Sequence, residues 1–121
     1  MLTQLSHPNI IQVYQNEQKF LNYYIMEMEM GAETLDQLAL RRSLSEDDCA
    51  KIMQGIFSAL AYLHDVANII HRDVKPENIV FSNYEDLGSL KVIDFGLATE
   101  YTKTKILDFA HCGTLLYTPP E

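Results

Sequence analysis

The residues from His71 to Asn78 bring together side chains that could handle a phosphate group. Asp73 is a carboxylate that could accept the proton of an attacking hydroxyl, and Lys75 is a cation that could neutralise a phosphoryl group during its transfer. Asn78 offers a carboxamide oxygen to a hard cation such as Mg²⁺. Pro76 fixes its own backbone φ angle and so stiffens the loop. The pattern predicts phosphoryl-transfer chemistry within one short segment.

A second carboxylate, Asp94, ends an apolar run and is followed by Phe95 and Gly96. The glycine permits a sharp turn of the backbone at this point. Oxygen ligands from two loops can share one hard metal ion. We therefore predict that Asn78 and Asp94 hold Mg²⁺ together.

The order of these motifs resembles the eukaryotic protein kinase family, serine/threonine type. HRDVKPEN at residues 71–78, DFG at 94–96 and CGTLLYTPPE at 112–121 are similar to the catalytic loop, the metal-binding loop and the end of the activation segment. Lys75, two residues after Asp73, is the serine/threonine signature. The resemblance implies a protein kinase that uses ATP and Mg²⁺ and phosphorylates a Ser or Thr hydroxyl of a protein substrate.

The resemblance also implies roles for single residues. Met26 resembles the gatekeeper at the back of the nucleotide pocket, the residues after it resemble the hinge, and Val80 resembles the support beneath the adenine. Glu33 resembles the residue that reaches the ribose or a basic side chain of the substrate, although an acid before a helix is equally well explained by the helix dipole. The implied sets are Asp73, Lys75 and Thr114 for catalysis, Met26, Glu27, Met28, Glu33 and Val80 for the nucleotide, and Asn78 and Asp94 for the metal.

The activation segment departs from its relatives at two places. In relatives, an arginine at the position of Arg72 pairs with a phosphate on this segment, but the usual acceptor position here is Ala110. We predict that Asp108 supplies a permanent carboxylate instead, the alternative being a solvated loop acid. The usual Ala-Pro-Glu reads Pro-Pro-Glu at 119–121. Thr114 resembles the threonine that bonds the catalytic Asp and Lys.

Runs of apolar and aromatic residues predict the strands. Residues 10–14 and 20–28 read as two strands, separated by a polar turn at 16–19. Residues 79–81 and 90–93 flank a second polar turn and predict a hairpin. This hairpin would aim the two metal ligands toward each other.

Two helices are predicted between these strands. A short helix covers residues 34–40, and the longest helix begins after Ser45, with Asp48 completing a capping box, and continues to about His64. Apolar residues recur in this helix at spacings of three and four, which predicts one buried stripe. The stripe consists of Ile52, Met53, Ile56, Phe57, Leu60 and Leu63.

The predicted fold is α+β and protein-kinase-like, truncated to two strands of the small lobe, the hinge and the first half of the mainly helical large lobe. We expect one partial kinase domain over residues 1–121, with 1–33 as small-lobe remnant and hinge and 34–121 as the large-lobe part ending in the activation segment. The family's Gly-rich loop, strand lysine and helix glutamate are absent from these residues, which predicts an inactive isolated chain. A non-catalytic kinase-like interaction module and an incomplete gene model are the alternatives.

The charge, cysteine content and apolar runs of the chain limit the kinds of partner and the locations that we expect. The net charge is −8, from 17 acidic and 9 basic residues, which argues against a nucleic-acid surface. Two cysteines indicate no disulfide framework and therefore a reducing compartment. Without a long apolar run or a signal-peptide pattern, we expect no membrane span and an intracellular, cytoplasmic location.

Overall fold

The computed structural model describes residues 2–20, 23–101 and 113–117, so the predictions for Asp108, Ala110 and residues 119–121 lie outside the described residues. The predicted α+β class is confirmed. Its elements are β1 (Val13–Phe20), β2 (Tyr23–Met28), β3 (Glu33–Thr34), α1 (Leu35–Arg41), α2 (Glu46–Tyr62), β4 (Ile69–Ile70), β5 (Ile79–Phe81), β6 (Leu90–Val92) and β7 (Thr99–Glu100).

The strands β1 and β2 form an antiparallel hairpin. The turn predicted at residues 16–19 is wrong, because these residues lie inside β1. The pairing register shifts twice between Val13 and Gln18, so the polar segment stays in the ladder through local irregularities of the bulge type. Ile10, which was expected to lie in a strand, forms an isolated parallel bridge to Val92 instead.

The start of α2 follows from its capping box. Asp48 N donates to Ser45 Oγ at 3.1 Å, and Ser45 N donates to Asp48 Oδ2 at 3.1 Å, as the sequence predicts. A hydrogen bond from Arg42 Nη1, 2.8 Å long, is the main cause that lowers the pKa of Asp48 to about 2. Beyond Tyr62 the helix widens into a π turn, Leu63–Ala67, so the predicted end at about His64 falls inside that turn.

The core lies between α2 and the sheet formed by β3, β5 and β6. The prediction of one buried stripe is wrong for Met53 and Phe57, which are exposed. Each follows a buried isoleucine by one residue, a rotation of about 100° that moves it to the flank of the apolar face. The α2 side chains that are buried in the core are Ile52, Ile56 and Ala59, joined by Leu63 of the π turn.

Two antiparallel pairings return the chain to one place. The predicted hairpin is confirmed, since β5 pairs with β6 through Ile79 and Val92. Beyond it, Ile93 N donates to Asn78 O at 2.9 Å, which brings the residue before Asp94 against the loop that precedes β5. The pair β4 and β7 joins the chain before His71 to the chain after Asp94. Within the described ranges, no helix combines the length and the apolar character needed to cross a bilayer.

Candidate active site

The carboxylate of Asp73 is surrounded by donors. Thr114 N and Thr114 Oγ1 donate to Asp73 Oδ1 at 3.0 and 2.8 Å, while Asn78 Nδ2 donates to Oδ2 at 3.0 Å. Lys75 Nζ lies 3.0 Å from the same Oδ2. The hydrogen bond from Thr114 is the largest cause that lowers the pKa of Asp73, and Lys75 and Asn78 add to it. Asp73 is therefore ionised at neutral pH and held in one orientation.

The ammonium group of Lys75 bridges two of these residues. Its Nζ donates to Thr114 Oγ1 at 2.8 Å and forms the ion pair with Asp73. The hydrogen bond to Asp73 is the main cause that raises the pKa of Lys75. Lys75 thus stays a cation at neutral pH, 20% exposed, beside the carboxylate that it helps to orient.

The side-chain amide of Asn78 has a defined orientation. Its Nδ2 donates to the main-chain carbonyl of Asp73 at 2.8 Å as well as to Oδ2. A 3-10 turn, Pro76–Asn78, presents this side chain, with Asn78 N donating to Lys75 O at 2.9 Å. Because Nδ2 donates both of these hydrogen bonds, the oxygen Oδ1 is the side-chain atom that can bind a cation.

The second predicted metal ligand, Asp94, occupies an unusual backbone conformation. Its φ is 61°, in the left-handed region that few residues other than glycine adopt, and its Oδ1 accepts a 3.1 Å hydrogen bond from Gly96 N. The side chain is exposed, and its charge acts on both His71 and Lys75. The bond between Ile93 N and Asn78 O places Asp94 directly after a residue that contacts Asn78.

The donor set fits Mg²⁺. A carboxylate and a carboxamide supply oxygen ligands, which hard cations prefer. Among the residues that the structure describes, no group of three or more His, Cys, Asp or Glu side chains is placed to hold a metal. A site with one or two protein ligands, completed by water and phosphate oxygens, is the usual arrangement for Mg²⁺.

His71 supports the loop from inside. His71 is 1% exposed, and its ring packs against Phe95 with ring centroids 5.0 Å apart. Burial is the main cause that lowers the pKa of His71. Asp73 N donates to Nδ1 at 3.3 Å, which places the proton on Nε2, and Nε2 then donates to Ile93 O at 3.0 Å. A neutral imidazole in this tautomer joins the loop at 71–78 to the chain before Asp94, and both of its ring nitrogens are engaged in hydrogen bonds.

The close approach of two segments requires glycine at position 113. Gly113 has φ 104°, and a Cβ atom built there would lie 2.8 Å from Arg72 O. Glycine alone fits this approach without strain, and it brings Thr114 to Asp73. The glycine lies in the motif CGT at 112–114, which by itself does not indicate the close approach to Arg72. Arg72 itself has φ 67° and donates from Nε to Leu97 O at 2.7 Å.

The predicted nucleotide residues lie at the exit of β2 and on β5. Met26, Glu27 and Met28 occupy the exposed end of β2, and Val80 is buried on β5. A Cβ atom added to Gly31 would lie 3.0 Å from Val80 Cβ, so the chain leaving β2 crosses closely over Val80. This crossing brings the segment after Met28 against Val80, and the role of the four residues in nucleotide binding stays a prediction.

A polar network that the sequence did not reveal fixes the chain just after β2. Lys91 Nζ lies 3.2 Å from Glu29 Oε2 and donates to Pro8 O at 3.1 Å. Ser82 Oγ donates to Glu29 Oε1 at 3.1 Å, and Glu29 N donates to Gln12 O at 2.8 Å. Glu29 therefore ties the segment between β2 and β3 to the sheet below it.

Glu33 is engaged by another residue of the chain. Arg41 Nη2 lies 2.6 Å from Glu33 Oε1, and Arg41 Nε donates to Oε2 at 3.2 Å. The Glu33 side chain is 7% exposed. Neither the predicted contact with the ribose or a substrate side chain nor the helix-dipole explanation of Glu33 includes an ion pair with Arg41.

Comparison with known proteins identifies the family. The family model described as "Protein kinase domain" matches residues 1–121. The chain therefore belongs to the protein kinase family, which confirms the resemblance of its motifs.

The relatives and a solved structure agree with this assignment. The chain is 40% identical to "Calcium-dependent protein kinase 5" of Plasmodium berghei and 37% identical to "Myosin light chain kinase A" of Dictyostelium discoideum. Both alignments cover the whole chain, which spans only 21% and 41% of these relatives. A chain of the yeast RNA Pol II CTD kinase CTDK-1 complex aligns with TM-score 0.70 and 30% identity, over 84% of this chain and 33% of that one. The predicted truncated kinase-like fold is confirmed.

Proposed function

We propose that the protein is a serine/threonine protein kinase that transfers the γ-phosphoryl group of ATP to a Ser or Thr hydroxyl of a protein substrate. One observation carries the proposal. The ionised carboxylate of Asp73 is bracketed by Thr114, Lys75 and Asn78, which supports a catalytic role for Asp73 and Lys75 and a metal-binding role for Asn78. Positioning and charge stabilisation are what phosphoryl transfer requires of a protein.

Asp73 orients the substrate hydroxyl. Its lowered pKa makes it a weak base, so its carboxylate holds the hydroxyl in line and takes the proton late, as the bond to phosphorus forms. Thr114 keeps the carboxylate in place through two hydrogen bonds to Oδ1.

Lys75 stabilises the charge of the phosphoryl group in transit. Its raised pKa keeps it protonated, and its bond to Thr114 points the ammonium into the space beside Asp73. A preorganised cation acts at the moment of reaction without reorganisation, which is why such groups contribute strongly to the rate.

Asn78 and Asp94 would hold the metal ion. Protein kinases use ATP and Mg²⁺, and Mg²⁺, when bound, neutralises charge on the phosphate oxygens. The hydrogen bonds of Asn78 Nδ2 to Asp73 leave Oδ1 as the atom that would bind the cation, and the Asx-type bond from Gly96 N fixes the carboxylate of Asp94.

The remaining assignments concern the nucleotide and the domain. We assign adenine contacts to Met26, Glu27, Met28 and Val80, with residues 1–33 in the small lobe and hinge and 34–121 in the large lobe. The 121 residues contain no Gly-x-Gly-x-x-Gly loop, so they do not supply the phosphate-positioning loop that this scheme requires. Full-length protein means the whole gene product, including any flanking kinase sequence. Assays therefore use the full-length protein, and the isolated 121 residues are expected to be inactive.

The test is phosphotransfer from γ-labelled ATP to a protein acceptor, followed by phosphoamino-acid analysis. We expect phosphoserine or phosphothreonine, and Asp73→Asn should lower kcat by roughly 10²–10⁴-fold because the isosteric amide cannot take the proton. Asp47→Asn, an exposed acid in the first turn of α2, is the matched control and should have no effect. Absent transfer in the full-length protein would favour a non-catalytic module, whereas equal losses in both variants would contradict the role given to Asp73.

A further inference from the structure

The carboxylate of Glu33 forms an ion pair with Arg41 of the same chain. One guanidinium contacts both of its oxygens, with Arg41 Nη2 at 2.6 Å and Nε at 3.2 Å, in the two-point geometry that gives the strongest arginine–carboxylate pairs. Glu33 is 7% exposed whereas Arg41 is 43% exposed, so the guanidinium lies on the solvent side and covers the carboxylate. The hydrogen bond to Glu33 is also the main cause that raises the pKa of Arg41.

This pair lies beside the candidate active site. Glu33 belongs to β3, where the next residue, Thr34, pairs with Val80 of the predicted nucleotide side. Both β3 and α1 contact the 3-10 turn Pro76–Asn78, which carries the predicted metal ligand. If the proposed kinase binds its substrate beside this turn, the Glu33 carboxylate lies near that substrate.

The arginine is delivered by a short, well-anchored helix. Thr34 N donates to Gln37 Oε1 at 3.0 Å and fixes the start of α1, and Arg41 lies in its last turn, where a cation is favoured by the helix dipole. A second acid, Glu85, approaches Arg41 Nη1 at 3.7 Å from the turn between β5 and β6. Glu33 is therefore the main partner of the guanidinium, because Glu85 is 78% exposed and contributes little.

We propose that Arg41 is a specificity-determining residue, which withholds the Glu33 carboxylate from basic side chains of the substrate. The proposal rests on the kinase activity proposed above. With Arg41 in place, an incoming arginine gains no partner at Glu33. Without it, a largely buried carboxylate loses its cation, and a substrate guanidinium can replace the missing one through charge-assisted hydrogen bonds.

The experiment measures peptide preference in the full-length protein. Serine peptides that carry Arg or Gln at each upstream position are compared by their kcat/KM for wild type, Arg41→Met and Arg41→Ala. The methionine keeps the apolar stem of the side chain. We expect the Arg-to-Gln ratio to rise by roughly tenfold or more at one position in both variants, the scale of one charge-assisted bond. Adding Glu33→Gln should abolish the gain. The control is Arg42→Met at the next position, which should leave the ratio unchanged because Arg42 pairs with Asp48 and not with Glu33.

A second readout does not depend on turnover. Carbodiimide labelling followed by mass spectrometry should leave Glu33 protected in wild type relative to Glu85, and should modify it in Arg41→Met. Binding of the Arg and Gln peptides, followed by fluorescence anisotropy, should show the same preference as kcat/KM. If no phosphoryl transfer occurs at all, the kinase proposal fails, while labelling and peptide binding still decide the role of Arg41.

Three outcomes would overturn the proposal. The first is a wild-type preference for Arg that Glu33→Gln removes, since Glu33 would then be open to substrates. The second is labelling of Glu33 in wild type as fast as Glu85. The third is an unchanged Arg-to-Gln ratio in folded Arg41→Met. If both Arg41 variants fail to fold, Glu33→Gln alone decides, because the proposal requires it to leave the ratio unchanged.

Discussion

The side-chain nitrogen of Asn78 donates to both the main-chain carbonyl and the carboxylate of Asp73, at 2.8 and 3.0 Å. The residue proposed to orient the substrate and a residue proposed to hold the metal are thus one hydrogen-bonded unit. Rotation of the amide would exchange its nitrogen and oxygen and break both bonds at once. The proposed chemistry therefore depends on a loop whose parts fix each other.

The first prediction concerns Gly113. In Gly113→Ala, the new Cβ would meet Arg72 O at 2.8 Å in a backbone with φ 104°, so the segment must move and carry Thr114 away from Asp73. Displacements of this kind can lower kcat by roughly a hundredfold. Steady-state kinetics of the full-length protein measure the effect. The control is Gly88→Ala in the exposed turn that connects β5 and β6. Similar kcat values for the two variants would refute the role given to Gly113.

The second prediction concerns the tie between Lys91 and Glu29. Lys91→Met removes the cation from a carboxylate that is only 25% exposed, and we expect a loss of about 1–3 kcal/mol in the free energy of unfolding. Urea denaturation measures it, with Lys51→Met on the exposed face of α2 as the matched control. Adding Glu29→Gln should restore part of the loss, because the unpaired charge is then gone. Equal stabilities of the two lysine variants would show that the tie contributes nothing.

The third prediction concerns the pH dependence of the stability that Asp48 contributes. The hydrogen bond from Arg42 is the main cause that lowers the pKa of Asp48 from 3.8 to about 2. A carboxylate with a lowered folded-state pKa stabilises the fold above its unfolded value, and this contribution disappears as the pH falls through the folded value. The stability difference between wild type and Asp48→Asn should therefore be constant above about pH 5 and shrink between pH 4 and pH 2. Unfolding curves across this range test it, with Asp47→Asn as control, and a difference that persists to pH 2 would contradict the assignment.

Local patterns predicted much of the site and some of the fold. The capping box of Ser45 and Asp48 and the hairpin of β5 and β6 depend on neighbours in the sequence, and both are confirmed. The motif spacing also brought together residues that do meet, such as Lys75 and Thr114, 39 positions apart. The family resemblance, rather than periodicity, made that pairing predictable.

Long-range side-chain contacts were not predictable in this way. Nothing in the spacing between Arg41 and Glu33 indicates that the arginine side chain folds back onto a buried carboxylate. Lys91 and Glu29 likewise meet because two elements cross in space. The prediction of a turn at residues 16–19 is wrong because these polar residues pair with β2, and strand pairing outweighs the local preference of polar residues for a turn.

The measurement that tests the central claim most directly is a double-mutant cycle between Asp73 and Thr114 in the full-length protein. Thr114→Val removes the hydroxyl that donates to Asp73 Oδ1 and accepts from Lys75. If Thr114 is a positioning residue that acts through Asp73, the change lowers kcat in wild type, with little effect on KM, and lowers it little further in Asp73→Asn. Equal fold losses of kcat in both backgrounds would contradict the account, since the two residues would then act independently.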